Sequence, residues 1–466
     1  MTYTVDALAD FTVNATRSDL TSMSSLTLRR NVLDSIACAI GALDGEPIAT
    51  LRQHAEQFSG TPSATAVGGG RLSVDQATFF NSVLVRYPDL LDTFLTEGGL
   101  CHPADNFGAV LAVAEHVDAS GTDFLLALAL AYEIQCRFSA QVPLMAEGLN
   151  HALSLAMSSS AASAKLLGLD VSATASAIAA ATVDNVSLAA VHAEPVSNWK
   201  GISPAITAMR AVYATFLASR GITGPKAVFE GPFGLAQLLD QPLDFRTADR
   251  TLDAVNQTYL KQYSSLIHGQ AVIDATLEVR TAHRLSGADV AHVGVEVFQG
   301  AYDFAGGGTY GDKSHAWTKE QADYNLKFLT AVALLDGAVG PAQLETERVR
   351  RRDVQEMMQR VEVSAAADLT AAYPERTSVR VKITTSGRRE LRVEQADFEG
   401  SPTRPMSWDR VVEKFDWLAE PFCDAALRAD IVDGVHGLGD IAVRELAALL
   451  GKVSAVAAHR RSRHRF

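Results

Sequence analysis

From Val5 to about Ile267 apolar residues recur every three to four positions, separated by short polar islands, and alanine is abundant throughout. That spacing predicts helices over 26–43, 105–117, 122–138, 152–167, 171–190 and 202–220. Alanine and leucine are strong helix formers, and small side chains let helix axes approach closely, so the segment reads as one packed all-α domain. The stops are legible as well. In Leu166-Leu167-Gly168-Leu169-Asp170, Gly168 lies just past a helix end and Asp170 is placed to cap the next start. Asp105 reads in the same way as the N-cap of the helix through Val117.

After Gln270 the texture changes. Alternating β-branched residues predict a strand over 293–298 and a hairpin formed by 378–384 and 389–393 around Ser386-Gly387, with helices over 320–335 and 348–360 between them. This predicts a smaller α+β domain over 271–404, closed by the turn-rich Gly400-Ser401-Pro402-Thr403-Arg404-Pro405. Helix resumes at Ser407-Trp408, so the expected fold is two-domain and mainly α. Residues 1–270 form a large all-α domain completed by 405–458, and 271–404 a smaller α+β domain. Residues 459–466, with four arginines and two histidines, read as a solvated basic tail.

Composition narrows the function classes. The 466 residues carry a formal charge of −13, which repels nucleic acid and anionic lipid, so no nucleic-acid partner and no membrane partner is expected. No apolar stretch is long enough to span a bilayer, and residues 1–10 lack a basic stretch followed by an apolar run. The four cysteines are scattered, with no CxxC pair, which fits a reduced, cytoplasmic setting.

Several motifs are missing. Gly68-Gly69-Gly70 and Gly306-Gly307-Gly308 lack the Lys-Ser/Thr of a phosphate loop and read as turns, and neither GxSxG nor HExxH occurs. The informative stretch is Arg86-Tyr87-Pro88-Asp89-Leu90-Leu91-Asp92-Thr93, followed by Cys101-His102-Pro103-Ala104-Asp105-Asn106. If helical, it would put Asp89 and Asp92 on one face. Further polar islands hold His151, Lys200, Lys261 and His268. Each is weak alone, since a single lysine is usually solvated and a single histidine usually structural. Together they would make a cationic, titratable pocket suited to a small polycarboxylate.

Val85 to Asn106, Tyr132-Glu133-Ile134-Gln135, Trp199-Lys200-Gly201, Val228-Phe229-Glu230-Gly231, His268-Gly269-Gln270 and Ala331 to Gly337 together resemble the MmgE/PrpD family. The resemblance runs through almost the whole chain, to Pro405-Met406-Ser407-Trp408. It implies a helical domain with an inserted lid-like α+β domain, a homodimer, and an active site needing neither metal nor cofactor. Carried over by position, it implies catalytic roles for Asp89, His102 and His151, and substrate contacts from Thr93, Lys200, Lys261, His268 and Tyr324; Asp92, three residues past Asp89, reads as a further substrate contact.

The wording around the two aspartates is most similar to the 2-methylcitrate dehydratase branch, although Pro88, Leu90, Leu91 and Ala104 depart from its usual pattern. The implied activity is a hydro-lyase acting on a small di- or tricarboxylate. The alternatives are decarboxylation of cis-aconitate, epimerisation of an iminodisuccinate-like compound, or a silent member that only binds a polycarboxylate.

Overall fold

The computed structural model describes residues 3–97, 99–245 and 249–454; the basic segment 459–466 lies outside the described residues. The molecule is mainly helical. The long helices Ser22–Gly41, Val74–Arg86, Gly121–Gln141, Ala152–Leu166, Val171–Val183 and Trp199–Ala218 pack through the small-residue faces that the alanine-rich pattern supplies.

Their starts are chemically explicit. Thr21, Ser120 and Asp170 each accept a hydrogen bond from a backbone N–H in the first turn, and Gly168, at φ 66°, closes the preceding helix as its position in the sequence implies. Helix Val171–Val183 stops seven residues short of its expected end, because the polar Asp184-Asn185 breaks the apolar pattern.

Helix Trp408–Ala419, capped by Ser407, returns to this core. Its Val411, Phe415 and Leu418 pack with Leu28, Val32 and Ile36 of helix Ser22–Gly41. A second core, from Tyr263 to Phe398, surrounds a four-stranded sheet. The strands lie in the order Val361–Ala365, Val290–Val297, Val379–Thr385, Glu390–Gln395. The first pair is parallel and the other two are antiparallel, so the expected hairpin closes the sheet edge. Val293, Val295, Val381 and Ile383 point inward, while Arg380 and Lys382 between them face out.

The expected helix over 320–335 is two pieces, Lys319–Ala322 and Leu326–Asp336, because Asn325 caps the second through its side chain. The helix expected over 348–360 is likewise divided, into Thr346–Val349 and Arg352–Met358. The first triple glycine is a turn, with Gly68, Gly69 and Gly70 all at positive φ, whereas Gly306 ends the π-helical segment Tyr302–Gly306 and the chain turns at Gly307, φ 113°.

Candidate active site

Helix Val74–Arg86 runs into Tyr87-Pro88, and Pro88 has no N–H with which to continue it. Asp89 then takes a left-handed conformation, φ 50°, which a short polar side chain tolerates. The chain therefore turns at Asp89, and the expectation that Asp89 and Asp92 share a helical face is corrected: their carboxylates enter different environments.

Neighbouring elements hold this turn in place. Thr93 pairs with Tyr259 through N–H···O bonds of 2.9 and 2.7 Å, which fastens the Asp89 loop beside the segment carrying Lys261. The Gly400 carbonyl accepts the Leu260 N–H at 2.8 Å, and at Gly400, φ 109°, a Cβ would collide with the Leu260 carbonyl. From the returning helix the buried Lys414 donates to Asp34 (2.5 Å) and to the carbonyls of Leu90 (3.0 Å) and Lys261 (2.8 Å). Segments more than 300 residues apart thus converge on one site.

At its centre Asp89 meets three cations: Lys261 at 2.7 Å, Arg86 at 3.1 Å and Lys200 at 3.2 Å. Lys200 also meets Asp323 at 2.5 Å and stands 3.8 Å over the Tyr324 ring, and Asp323 meets Lys319 at 2.6 Å. Burial pushes the Asp89 carboxyl up, but Lys261, Arg86 and Lys200 outweigh it and hold Asp89 well below the usual carboxylate range. Burial lowers Lys261, and its contact with Asp89 partly restores it. This ion-paired hub carries four positive and two negative side chains, all buried or nearly so. An excess of buried positive charge is a binding potential for an anion.

Two histidines stand beside the hub with ring centroids 5.0 Å apart. His102 Nδ1 lies 2.8 Å from the Asp92 carbonyl, which can only accept, so Nδ1 carries the proton and the Thr93 hydroxyl at 3.2 Å shares it. Burial, then Arg86 and Lys261, hold His102 well below the ordinary histidine range. His102 is therefore neutral near pH 7, with Nε2 as its acceptor. His151 Nε2 lies 3.3 Å from Asp105 Oδ2.

Asp105 is not the N-cap expected from sequence. It lies in the 3-10 turn Pro103–Asn106, makes no capping bond to helix Phe107–His116, and turns its carboxylate to His151 instead.

Of the remaining expected residues, His268 sits among Phe298, Phe304 and Tyr373 with ring centroids 5.0, 6.1 and 6.3 Å away. Burial, then Lys261, push it down to about 3, so its imidazole is neutral near pH 7. Tyr324 joins the hub through Lys200 and stacks on His192 at 5.5 Å. Thr93 holds His102 and the Tyr259 segment. Asp92 faces away from the hub. It accepts from the Tyr132 hydroxyl (2.6 Å), the Ala104 N–H (2.9 Å) and Asn31 (3.1 Å), and burial pushes it up to about 7. These contacts make Asp92 an anchor for the loop bearing His102, where the sequence reading expects a substrate contact.

Three participants escaped the sequence reading. Asp323, inside what reads as an unbroken helix over 320–335, and Lys319, one residue ahead of it, form an i,i+4 pair. His192 follows an apolar run and carries no motif. Asn150 accepts the Ala152 N–H through Oδ1, so its amide donates to His192 Nε2 at 3.0 Å. A surface cleft beyond Lys319 and Tyr87 is rimmed by Asp44, Glu46, Glu345 and Glu347, a sign of charge that repels a polycarboxylate.

Comparison with known proteins places both regions in one family. Residues 6–248 match the MmgE/PrpD N-terminal domain and residues 263–436 the MmgE/PrpD C-terminal domain. The chain belongs to the MmgE/PrpD family, with a two-domain, mainly α fold. It is 26% identical to a 2-methylcitrate dehydratase of Cupriavidus necator, over 72% of this chain and 73% of that one. It is 25% identical to the 2-methylcitrate dehydratase of Escherichia coli (strain K12), over 77% and 78%. To the cis-aconitate decarboxylase of Mus musculus it is also 25% identical, over 83% and 80%. These relatives are lyases, which supports lyase chemistry at the level of the family. No helix among the described residues is long and apolar enough to cross a membrane, and none of their His, Cys, Asp and Glu side chains form a group of three that could hold a metal ion.

Proposed function

We propose that the chain is a hydro-lyase that dehydrates 2-methylcitrate or a closely related small tricarboxylate by general acid–base catalysis. The observation that carries the reading is the buried hub of Arg86, Lys200, Lys261 and Lys319, in excess over Asp89 and Asp323, beside a neutral His102 with a free Nε2. The cations hold the substrate carboxylates and stabilise charge that develops as the adjacent C–H bond breaks.

His102 Nε2 takes that proton. His151, having taken up a proton on its second ring nitrogen from solvent, gives it to the departing hydroxyl, so water leaves and a C=C bond remains; once product has left, His102 returns its proton to solvent. Asp89 is unsuited to the acid role, because three cations keep it ionised; it orders those cations until a carboxylate of the substrate joins them. A bound polycarboxylate offsets Arg86 and Lys261 and so raises the basicity of His102, which couples base strength to occupancy of the site.

The division into 1–270 with 405–458 and 271–404 belongs to this reading; two main cores support a division, and the second already includes Tyr263, Leu266 and Ile267, ahead of that boundary. A homodimer and independence from cofactors belong to it as well, and rest on the family resemblance; a cytoplasmic setting rests on the scattered cysteines. Incubation with 2-methylcitrate, followed by the ultraviolet absorbance of a newly conjugated carboxylate, tests the activity. A rise that requires His102 supports it; no rise from folded protein overturns it.

A further inference from the structure

The 3-10 turn Pro103–Asn106 follows His102 directly and is held from both sides. Asn106 donates to Gln135 Oε1 at 2.7 Å and accepts from the hydroxyls of Ser158 and Ser159 at 2.9 and 2.8 Å. This places Asp105, which is 1% exposed, against His151, also 1% exposed. One carboxylate oxygen reaches His151 Nε2 at 3.3 Å, while Asp105 Oδ1 and His151 Nδ1 are both buried with no hydrogen-bond partner. Arg86, in the hub, lies near enough to feel the Asp105 charge.

Buried polar atoms are rarely left unpaired, because each unmade bond leaves the group desolvated with nothing in return. An orphan nitrogen on a histidine whose other nitrogen is held by a carboxylate therefore points to a ligand as the missing partner. The parallel with His102 is close. There the Asp92 carbonyl holds Nδ1 and frees Nε2; at His151 the assignments are reversed, with Nε2 held and Nδ1 free.

We propose that Asp105 is a positioning residue that fixes the proton of His151 on Nε2, so that Nδ1 is the nitrogen that exchanges a proton with the substrate. The ionised carboxylate can only accept, which selects the Nε2–H form, and it stabilises the imidazolium that His151 must become to act as an acid. The role deepens the hydro-lyase reading, and rests on it for the identity of the proton transfer but not for the tautomer.

The test has two parts. In the wild-type protein, nitrogen-15 NMR of the His151 imidazole should show Nε2 protonated at neutral pH; a neutral ring protonated on Nδ1 overturns the proposal whether or not any substrate turns over. In Asp105→Asn, which keeps size but loses the charge, kcat for 2-methylcitrate should fall about 100-fold, with KM changed less than threefold, and the Nε2–H signature should weaken. Asp105→Glu should recover part of kcat. If Asp105→Asn instead loses thermal stability and kcat together while the His151 signature is unchanged, Asp105 is only structural and the proposal fails. Absence of turnover in the wild type, with the Nε2–H form intact, would reject the hydro-lyase reading and leave the Asp105–His151 pairing standing.

Discussion

Asp89 is the residue on which the free protein's charge balance rests, and Asp89→Asn isolates that contribution. Asparagine tolerates the left-handed backbone at φ 50° as well as aspartate does, so the turn survives and only the charge is lost. Arg86, Lys200 and Lys261, each about 3 Å from an Asp89 oxygen, then lose their shared anion, although Lys200 keeps Asp323. Removing one partner of a buried ion pair typically costs about 3–5 kcal/mol. At about 2.1 cal/mol/K per residue, a cooperative 466-residue unfolding has an entropy near 1 kcal/mol/K, so that cost is a fall in Tm of about 3–5 °C.

A polycarboxylate supplies the missing negative charge. Citrate should therefore raise the Tm of Asp89→Asn by more than it raises the wild type, while turnover is lost. Differential scanning fluorimetry with and without citrate reads both quantities. An unchanged or higher Tm in the variant, or an equal citrate effect in the two proteins, would refute the view that the hub holds excess positive charge awaiting an anion.

Other substitutions probe the roles around this hub. His102→Ala should lower kcat by about 100- to 10,000-fold while leaving circular dichroism unchanged, and near-normal turnover would remove His102 from the mechanism. Lys200→Ala should weaken apparent substrate affinity by about 10- to 100-fold, the worth of a charged hydrogen bond, with a smaller change in kcat; unaltered affinity by calorimetry would sink the clamp assignment. Stability should depend on pH through the buried histidines. His268 falls to about 3 in the folded chain, so below about pH 6.5 the unfolded chain binds the extra proton and stability drops with falling pH, by about 2 kcal/mol at about pH 5. His268→Gln should flatten that slope, and a Tm that holds steady from neutral pH to about pH 5 would contradict the buried neutral state.

The helical scaffold was legible because its signals are local. Asp170 after Gly168 marks a helix boundary, and Ser407 before Trp408 marks the return to the first core. Strand Val361–Ala365 was missed because its pairing is parallel to a distant strand, and nothing nearby in sequence signals it. In the site, Asp89, Lys200, Lys261 and His102 could be singled out as polar groups between apolar helices, yet their mutual contacts depend on loops joined through Thr93–Tyr259 and Gly400–Leu260. Asp92 and Asp105 show the limit of spacing arguments. One left-handed residue at Asp89 sends Asp92 to Tyr132, and a 3-10 turn gives Asp105 to His151 rather than to the helix it precedes.

Proton NMR of the purified protein in D2O, with 2-methylcitrate, citrate, cis-aconitate and an iminodisuccinate-type substrate supplied separately, tests the central claim most directly. It distinguishes loss of water, loss of CO2 and proton exchange in one format. The account predicts that 2-methylcitrate loses water to give an olefinic product, with the reaction abolished by His102→Ala. Decarboxylation of cis-aconitate with no dehydration of 2-methylcitrate, or silence on every compound from folded protein, would contradict it.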